Sequence, residues 1–226
     1  MHTDRLPQFW KSSYQSIRCV YHVGPFASLL LTICRYPSDL TQSTNLVEMI
    51  HDSFQPLTYW NDFMPPDKYP GVLLDTHIYQ MFSVEGNRLS EADHIKGACA
   101  VGSSLAASPL RLVVGEWTAT VNDCAKYLNG RGVGSRYDGT FPGTELSPVG
   151  SCKELTGNAK HFSSAYKTFL GKMWEAQAMS YEKYAGGWIQ WTWKAENADE
   201  WTYKAGLEHG WIPRNPTAYR YKNICG

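Results

Sequence analysis

The sequence has no excess of charge of either sign and no long apolar run. Its 226 residues include 21 lysines and arginines against 21 aspartates and glutamates, without a run of basic residues. Nucleic acid and anionic membranes are therefore poor partners for this chain. The one marked apolar run, residues 26–34, is too short for a transmembrane helix, so no membrane partner is expected.

Motifs for metals and for export are also missing. No His-x-x-x-His or Cys-x-x-Cys pair occurs, so no metal is expected. Residues 1–7 lack the apolar core of a signal peptide, so this stretch does not itself encode secretion.

Apolar and aromatic residues are plentiful. The chain is 43% hydrophobic and 14% aromatic, and its 9 tryptophans make disorder an unsuitable description. Flat aromatic rings pack well against apolar C–H surfaces, including those of sugars. The composition therefore favours a globular protein that acts on carbohydrate.

The hydrophobic pattern predicts alternating helices and strands. Phe9, Tyr14 and Ile17 recur at helical spacing, which predicts an amphipathic helix over residues 5–18 with its aromatics in the core. Strands are predicted over 45–51, 71–79, 111–117 and 187–193, and further helices over 90–100 and 160–184. A long glycine-rich loop follows the third strand, and loops of this length are often functional.

Residues 19–42 interrupt this pattern. Helix-to-strand connections usually take about two to six residues, whereas about two dozen intervene here. One hypothesis is a short intron translated in frame, with Gln42 compatible with a terminal CAG codon. A genuine loop specific to one lineage is the alternative.

Three motifs place polar groups at the ends of predicted strands. Glu116 follows the apolar run 112–114, His77 and Tyr79 end the strand before it, and Trp191 lies in the last predicted strand. Side chains two apart on a strand face the same way, so His77 and Tyr79 should share a face. Together the motifs imply one sugar-binding cleft.

These motifs, together with residues 51–56, 59–63 and 123–130, resemble the fungal exo-β-1,3-glucanases of glycoside hydrolase family five. The resemblance covers residues 45–226. Members of this family are (β/α)8 barrels with two catalytic glutamates, so it implies an α/β TIM-barrel fold. Whole barrels typically need about 250 residues or more, which favours an incomplete barrel here.

The family's general acid stands in an Asn-Glu-Pro motif at the end of barrel strand four, and this sequence contains no such motif. The helix at 1–18 is similar to the one that follows the motif in the family. The resemblance therefore implies a helix at 1–18, a foreign insert at 19–44, and the C-terminal half of the barrel, roughly strands five to eight, at 45–226.

By resemblance, Glu116 is the catalytic nucleophile, and His77 and Tyr79 hydrogen-bond around it and hold its orientation. A phenol that donates to a carboxylate favours its ionised form, as an attacking group requires. A surface or salt-bridged glutamate is the alternative for Glu116. A core histidine bonded to backbone is the alternative for His77.

The resemblance also implies four substrate-binding residues. Trp191 is the platform beneath the sugar, and Phe82 lines the pocket entrance, although a core phenylalanine is equally compatible. Asp52 and Asn129 line the pocket, and both residue types also serve as helix caps or turn residues. Arg131 and Arg136 are candidate substitutes for a family arginine in the loop after Asn129. Trp188 and Trp193 are interpreted as structural.

Four of the six cysteines lie in the resembling region. The family implies disulfides between Cys99 and Cys225 and between Cys124 and Cys152, which would indicate an oxidising compartment. Buried free thiols are the alternative, because sequence alone does not select among the three possible pairings. Cys19 and Cys34 match nothing in the family.

The resemblance implies a retaining enzyme that releases glucose from β-1,3-glucan in cell-wall metabolism, without a cofactor. It also implies an extracellular or cell-wall location and a monomeric full-length parent. Because the acid motif is absent, this chain alone is expected to be inactive. The alternatives are a non-catalytic fragment or weak glucan binder from a mispredicted gene, and a β-1,6-glucanase of the same family.

Overall fold

The structure is a computed structural model that describes residues 5–20, 47–145 and 148–226. Its helices and strands alternate, and the strands form a parallel sheet, which confirms an α/β protein. The helices are α1 (Leu6–Val20), α2 (Val84–Asn87), α3 (Glu91–Ala106), α4 (Ser164–Tyr184) and α5 (Tyr203–His209). The strands are β1 (Glu48–His51), β2 (Val72–Ile78) and β3 (Leu112–Trp117).

The chain divides into two compact units. The first contains the described part of Met1–Asp75 together with Ser108–Leu112, and the second contains Thr76–Ala107 and Val113–Gly226. Most of the predicted insert, with Cys34, lies outside the described residues. Helix α1 extends to Val20, two residues beyond the predicted end of this helix.

In the first unit, β1 and β2 pair in parallel register from Glu48 opposite Val72 to His51 opposite Asp75. The ladder continues one residue further, where the Asp52 N–H donates to the Asp75 carbonyl at 2.9 Å. The strand order is β1-β2-β3. This register places Asp52 directly after the end of β1.

The aromatic residues of helix α1 differ in how deeply they are buried. Tyr14 is buried and donates its hydroxyl to the Pro70 carbonyl at 3.0 Å, as expected of a core residue. Phe9, in contrast, is 59% exposed and packs edge-on against Trp10, at 4.8 Å between ring centroids. The prediction of a core Phe9 is therefore wrong, because the helix turns this position towards solvent.

In the second unit, α3 and α4 pack against each other. Ser90 caps α3 by accepting from the Asp93 N–H at 3.1 Å, and Ser163 caps α4 by accepting from the Tyr166 N–H at the same distance. A side chain at Gly102 would meet the Tyr184 ring at 2.4 Å. Glycine at this position therefore allows the two helices to approach closely.

The last predicted strand, 187–193, is not a strand. Only Trp188 forms a parallel bridge, with Val114. The Ile189 N–H donates to the Val114 carbonyl, whereas the Trp191 N–H donates to the Trp117 carbonyl, both at 2.9 Å. In a regular parallel ladder the second acceptor would be Glu116, so the pairing slips by one residue and the ladder ends.

The C-terminal tail is fastened to the helices. Arg220 donates to the Gly210 and Trp211 carbonyls and to Glu175, which is fully buried in α4. The Tyr221 N–H also donates to Glu175, at 2.7 Å. Burying the Glu175 carboxylate is tolerated because these donors surround it.

Candidate active site

Glu116 lies near the end of β3, beside the residue where the pairing with 187–193 slips. Val114 is fully buried, and in a regular strand Glu116 would share its face. Instead Trp117 is buried, packed against Trp174 and Tyr181 of α4, while the Glu116 side chain remains 31% exposed. Trp117 thus packs on α4, and the carboxylate of its neighbour Glu116 stays partly accessible to solvent.

The carboxylate meets the two side chains expected beside it. The Tyr79 hydroxyl donates to Glu116 Oε2 at 2.9 Å, and His77 Nδ1 lies 3.4 Å from the same oxygen. Both contacts involve the same carboxylate oxygen, Oε2. The structure therefore brings together Glu116, His77 and Tyr79 within the second unit.

Tyr79 is a hydrogen-bond donor in this arrangement and stays protonated. Burial raises the pKa of Tyr79 well above its ordinary value, and the hydrogen bond to Glu116 and the charge of that carboxylate raise it further. The phenol therefore keeps its proton at all working pH values. Its hydrogen bond holds the carboxylate in one orientation.

Aromatic rings surround Tyr79 on two sides. Phe82 lies edge-on at 5.3 Å between centroids and is 44% exposed, so it is not a core residue. Trp201 is buried with Met81 and Ala198, and the Tyr79 ring packs against this cluster at 6.0 Å from Trp201. Sequence reasoning missed Trp201, because no local pattern links it to a residue more than a hundred positions earlier.

Trp191 is connected to the end of β3 through its backbone. Its N–H donates to the carbonyl of Trp117, the residue after Glu116, and its indole is 51% exposed. The indole is therefore accessible to a ligand. Trp188 is half-buried and packs against Trp117 at 5.1 Å, in agreement with its interpretation as structural.

Asn129 is engaged within the glycine-rich loop. Its amide nitrogen donates to Asp123 and to the Gly134 carbonyl, both at 2.9 Å, and its oxygen accepts from Arg136 at 2.7 Å. Arg136 also contacts Asp123 at 3.1 Å. The loop role is therefore observed for Asn129, and its role in substrate binding stays a prediction.

Asp52 lies in the first unit, where it begins a turn. Its Oδ1 accepts from the Phe54 N–H at 2.9 Å, and His51 Nε2 lies 3.5 Å from the same atom. The side chain is almost completely buried. This is the turn residue that the sequence left open as an alternative, and substrate binding by Asp52 stays a prediction.

The structure contains the two disulfides that the resemblance implies. Cys99 is bonded to Cys225 and Cys124 to Cys152, with Cα atoms 5.3 and 5.4 Å apart. The first joins α3 to the C-terminal tail, and the second closes the glycine-rich loop. Free thiols at these four positions are thus not what the structure shows.

Two further properties concern only the described residues. None of their helices has the length and apolar character needed to cross a membrane. No group of three or more histidine, cysteine, aspartate or glutamate side chains among them is arranged to hold a metal ion.

Glu116 is thus a partly exposed carboxylate at the end of a strand, held by a phenol and an imidazole, and a carboxylate of this kind can act as a nucleophile or in proton transfer. Sequence comparison specifies the class. A glucan 1,3-beta-glucosidase of Blumeria graminis is 39% identical over 179 residues, covering 78% of this chain and 42% of that protein. One from Candida oleophila is 35% identical over 225 residues, covering 99% and 48%.

Glucan 1,3-beta-glucosidase I/II of Saccharomyces cerevisiae is 38% identical over 183 residues, covering 80% of this chain and 40% of its own length. The chain thus spans less than half the length of these curated relatives. The matches confirm the resemblance to fungal glucan 1,3-beta-glucosidases, and they relate the chain to glycoside hydrolases. Comparison with protein-family models found no match.

Among solved structures, the crystal structure of AoRut is similar over 80% of this chain and 41% of its own, at 15% identity and a TM-score of 0.45.

Proposed function

We propose that this chain is the C-terminal part of a retaining exo-β-1,3-glucanase of glycoside hydrolase family five, with Glu116 as the nucleophile. The observation that carries the proposal is the hydrogen bond from Tyr79 to Glu116 Oε2, together with the relatives named above. The fold proposed for the parent is the (β/α)8 barrel, with the present strands among its second four.

In a retaining glycosidase, one carboxylate attacks the anomeric carbon while a second carboxylic acid protonates the leaving oxygen. Here Glu116 Oε1 would form the bond to the anomeric carbon, because Tyr79 and His77 both engage Oε2. Water then releases the sugar from Glu116, and the second group serves as the base. The two carboxyl groups in such enzymes lie about 5–5.5 Å apart.

The second carboxylic acid is proposed to lie in another part of the parent enzyme. That part corresponds to the region of the relatives that this chain does not span. The family's Asn-Glu-Pro motif is missing from the 226 residues, and among the described residues Glu116 contacts a phenol and an imidazole. Loss of a general acid typically reduces the rate by about 10²–10⁴-fold. The isolated chain is therefore expected to hydrolyse no laminarin.

The substrate is proposed to be β-1,3-glucan, held over the exposed face of Trp191 and bordered by Phe82. Both rings are accessible, and Phe82 contacts the tyrosine that orients Glu116. The parent enzyme is proposed to act outside the cell or in the cell wall, as a monomer. Its disulfides suit an oxidising compartment.

The test is to join the missing N-terminal part, taken from the parent gene or from the Candida oleophila relative, to this chain. The joined enzyme should release glucose from laminarin with retained anomeric configuration, followed by proton NMR. Glu116→Gln should abolish release, and exposed Glu196→Gln should not. An active Glu116→Gln enzyme would overturn the proposed role.

The preference for β-1,3 over β-1,6 glycosidic linkages is tested in the same assay with a β-1,6-glucan. Faster hydrolysis of that polymer than of laminarin would replace the proposal with the β-1,6-glucanase alternative. A joined enzyme that folds, binds laminarin and leaves it intact would instead support a non-catalytic binder.

A further inference from the structure

Trp193 is placed unusually for a tryptophan interpreted as structural. Its indole is 61% exposed, more than that of Trp191 two residues earlier. Tryptophan is among the more buried residue types on average, so an indole this exposed contributes little to the core. Ile189 and Trp191 of the same short segment are exposed as well.

The ring of Trp193 is supported on one face. It stacks on Tyr203 with an interplanar angle of 25° and 6.0 Å between centroids. Tyr203 in turn lies 6.4 Å from Trp174, which is fully buried in α4. Since the supporting ring covers one face of the indole, the opposite face is the one presented to solvent.

The backbone also fixes this pair of rings. The Tyr203 N–H donates to the Thr192 carbonyl at 2.8 Å, and the Lys204 N–H donates to the Trp193 carbonyl at 3.2 Å. The Thr192 N–H donates to the Trp201 carbonyl at 2.9 Å. A ring held in this way loses little conformational freedom when a ligand covers it, which favours binding.

We infer that Trp193, supported by Tyr203, is a second carbohydrate platform that binds β-glucan outside the Glu116 site. A flat, rigid, exposed ring presents an apolar face to the C–H faces of sugars. The flanking charges are mixed, with Lys204 paired to Glu208, so a neutral polymer suits the surface better than a polyanion. The ligand class rests on the proposed function, whereas the platform itself rests on the geometry.

The platform is close in sequence to a residue of the candidate active site. Trp191 is bonded through its backbone to the residue after Glu116, and Trp193 follows two residues later. A polymer that passes over Trp191 would thus find a second ring within the same segment. This arrangement adds binding area for a long glucan and none for a single glucose.

The test is affinity electrophoresis of the 226-residue chain through gels containing laminarin. Trp193→Ala should weaken retardation about tenfold in apparent Kd, since a stacked aromatic contact contributes about that factor. Trp193→Phe and Tyr203→Phe, which keep the rings, should retain most of the affinity. Tyr203→Ala should weaken binding several-fold, and each variant's unfolding transition checks that it is folded.

The matched control is Phe9→Ala, because Phe9 is equally exposed and lies in the other unit. Retardation of Trp193→Ala equal to wild type, or no retardation of wild type, would overturn the inference. The inference is also overturned if Trp191→Ala loses binding while Trp193→Ala keeps it. If the joined enzyme fails to hydrolyse laminarin while binding still depends on Trp193, the platform stands and the proposed function falls.

Discussion

Glu200 provides the sharpest test of the energetics of this fold. Its carboxylate is almost completely buried and accepts from the Thr156 hydroxyl at 2.6 Å and from the Gly157 N–H at 3.2 Å. It thereby ties the end of the glycine-rich loop to the segment Asp199–Trp201. Burial raises the pKa of Glu200 to about 7, the hydrogen bonds oppose this rise, and the neighbouring Asp199 adds to it.

The sign of the effect on stability follows from this raised pKa. Below pH 4.5 the Glu200 carboxyl is protonated in both the folded and the unfolded chain, and the folded state carries no penalty. Between pH 4.5 and about 7 the unfolded chain ionises first, so stability falls as the pH rises. At about 1.4 kcal/mol for each pKa unit, the full loss above pH 7 is about 3 kcal/mol.

Glu200→Gln removes this ionisation while keeping the shape of the side chain. Its oxygen can accept from the Gly157 N–H, and its amide can donate to the Thr156 hydroxyl. We expect the variant to equal wild type within about 1 kcal/mol at pH 4 and to be more stable by about 3 kcal/mol at pH 8. The measurement is the free energy of unfolding in urea, followed by tryptophan fluorescence at several pH values.

The free energy of unfolding must be compared between variants at each pH. The reason is that the lowered pKa of His94 changes stability with pH in the opposite direction to the raised pKa of Glu200. Burial lowers the pKa of His94 to about 4, with Asp93 opposing the shift, so the stability from this residue is present above pH 6.5 and is lost as the pH falls. Between about pH 4 and 7 these two contributions therefore oppose each other in wild type. The difference between wild type and Glu200→Gln cancels the histidine, and Glu196→Gln is the exposed control. Parallel profiles for wild type and Glu200→Gln would refute the reasoning.

Three further predictions concern other parts of the chain. The Asp123 carboxylate accepts from the Ser135 hydroxyl and from two loop N–H groups, so Asp123→Asn should destabilise the fold by about 2–3 kcal/mol and speed proteolysis of the loop; an unchanged cleavage rate would contradict this. Cys99→Ser should cost about 4 kcal/mol of unfolding free energy, because the bond to Cys225 spans 126 residues; a loss below 1 kcal/mol would show that the unfolded chain is not constrained by it. Sequencing of mature mRNA should show residues 19–42 spliced out, and their retention would establish a genuine loop.

The positions of β1, β2 and β3 followed from local hydrophobic periodicity, and the meeting of Glu116 with Tyr79 followed from the resemblance to the family. The slip after Val114 could not be predicted in this way. It depends on which carbonyl of β3 the Trp191 N–H meets, and that choice is set by tertiary packing of Trp117 against α4. Local alternation of apolar residues does not encode this choice.

The same limit explains the other corrections. The stretch 187–193 has the alternating apolar pattern of a strand, yet one bridge is all that survives once the pairing with β3 slips. Phe9 has helical spacing with Tyr14, but helical spacing alone does not show where the buried face ends. Trp201 packs near Tyr79, and Glu200 accepts hydrogen bonds from Thr156 and Gly157. These partners are distant in sequence, so only the folded chain brings them together.

The two disulfides have a consequence for how this protein would survive cleavage. The loop closed by Cys124 and Cys152 lies entirely inside the span closed by Cys99 and Cys225, so the chain contains one covalent ring within another. A protease that cuts once within the inner ring would leave the two pieces held together by both bonds. Such a nick would be invisible on a non-reducing gel, and it would separate the pieces only after reduction. In a medium rich in proteases, the exposed loop could therefore be cut without the C-terminal tail being lost.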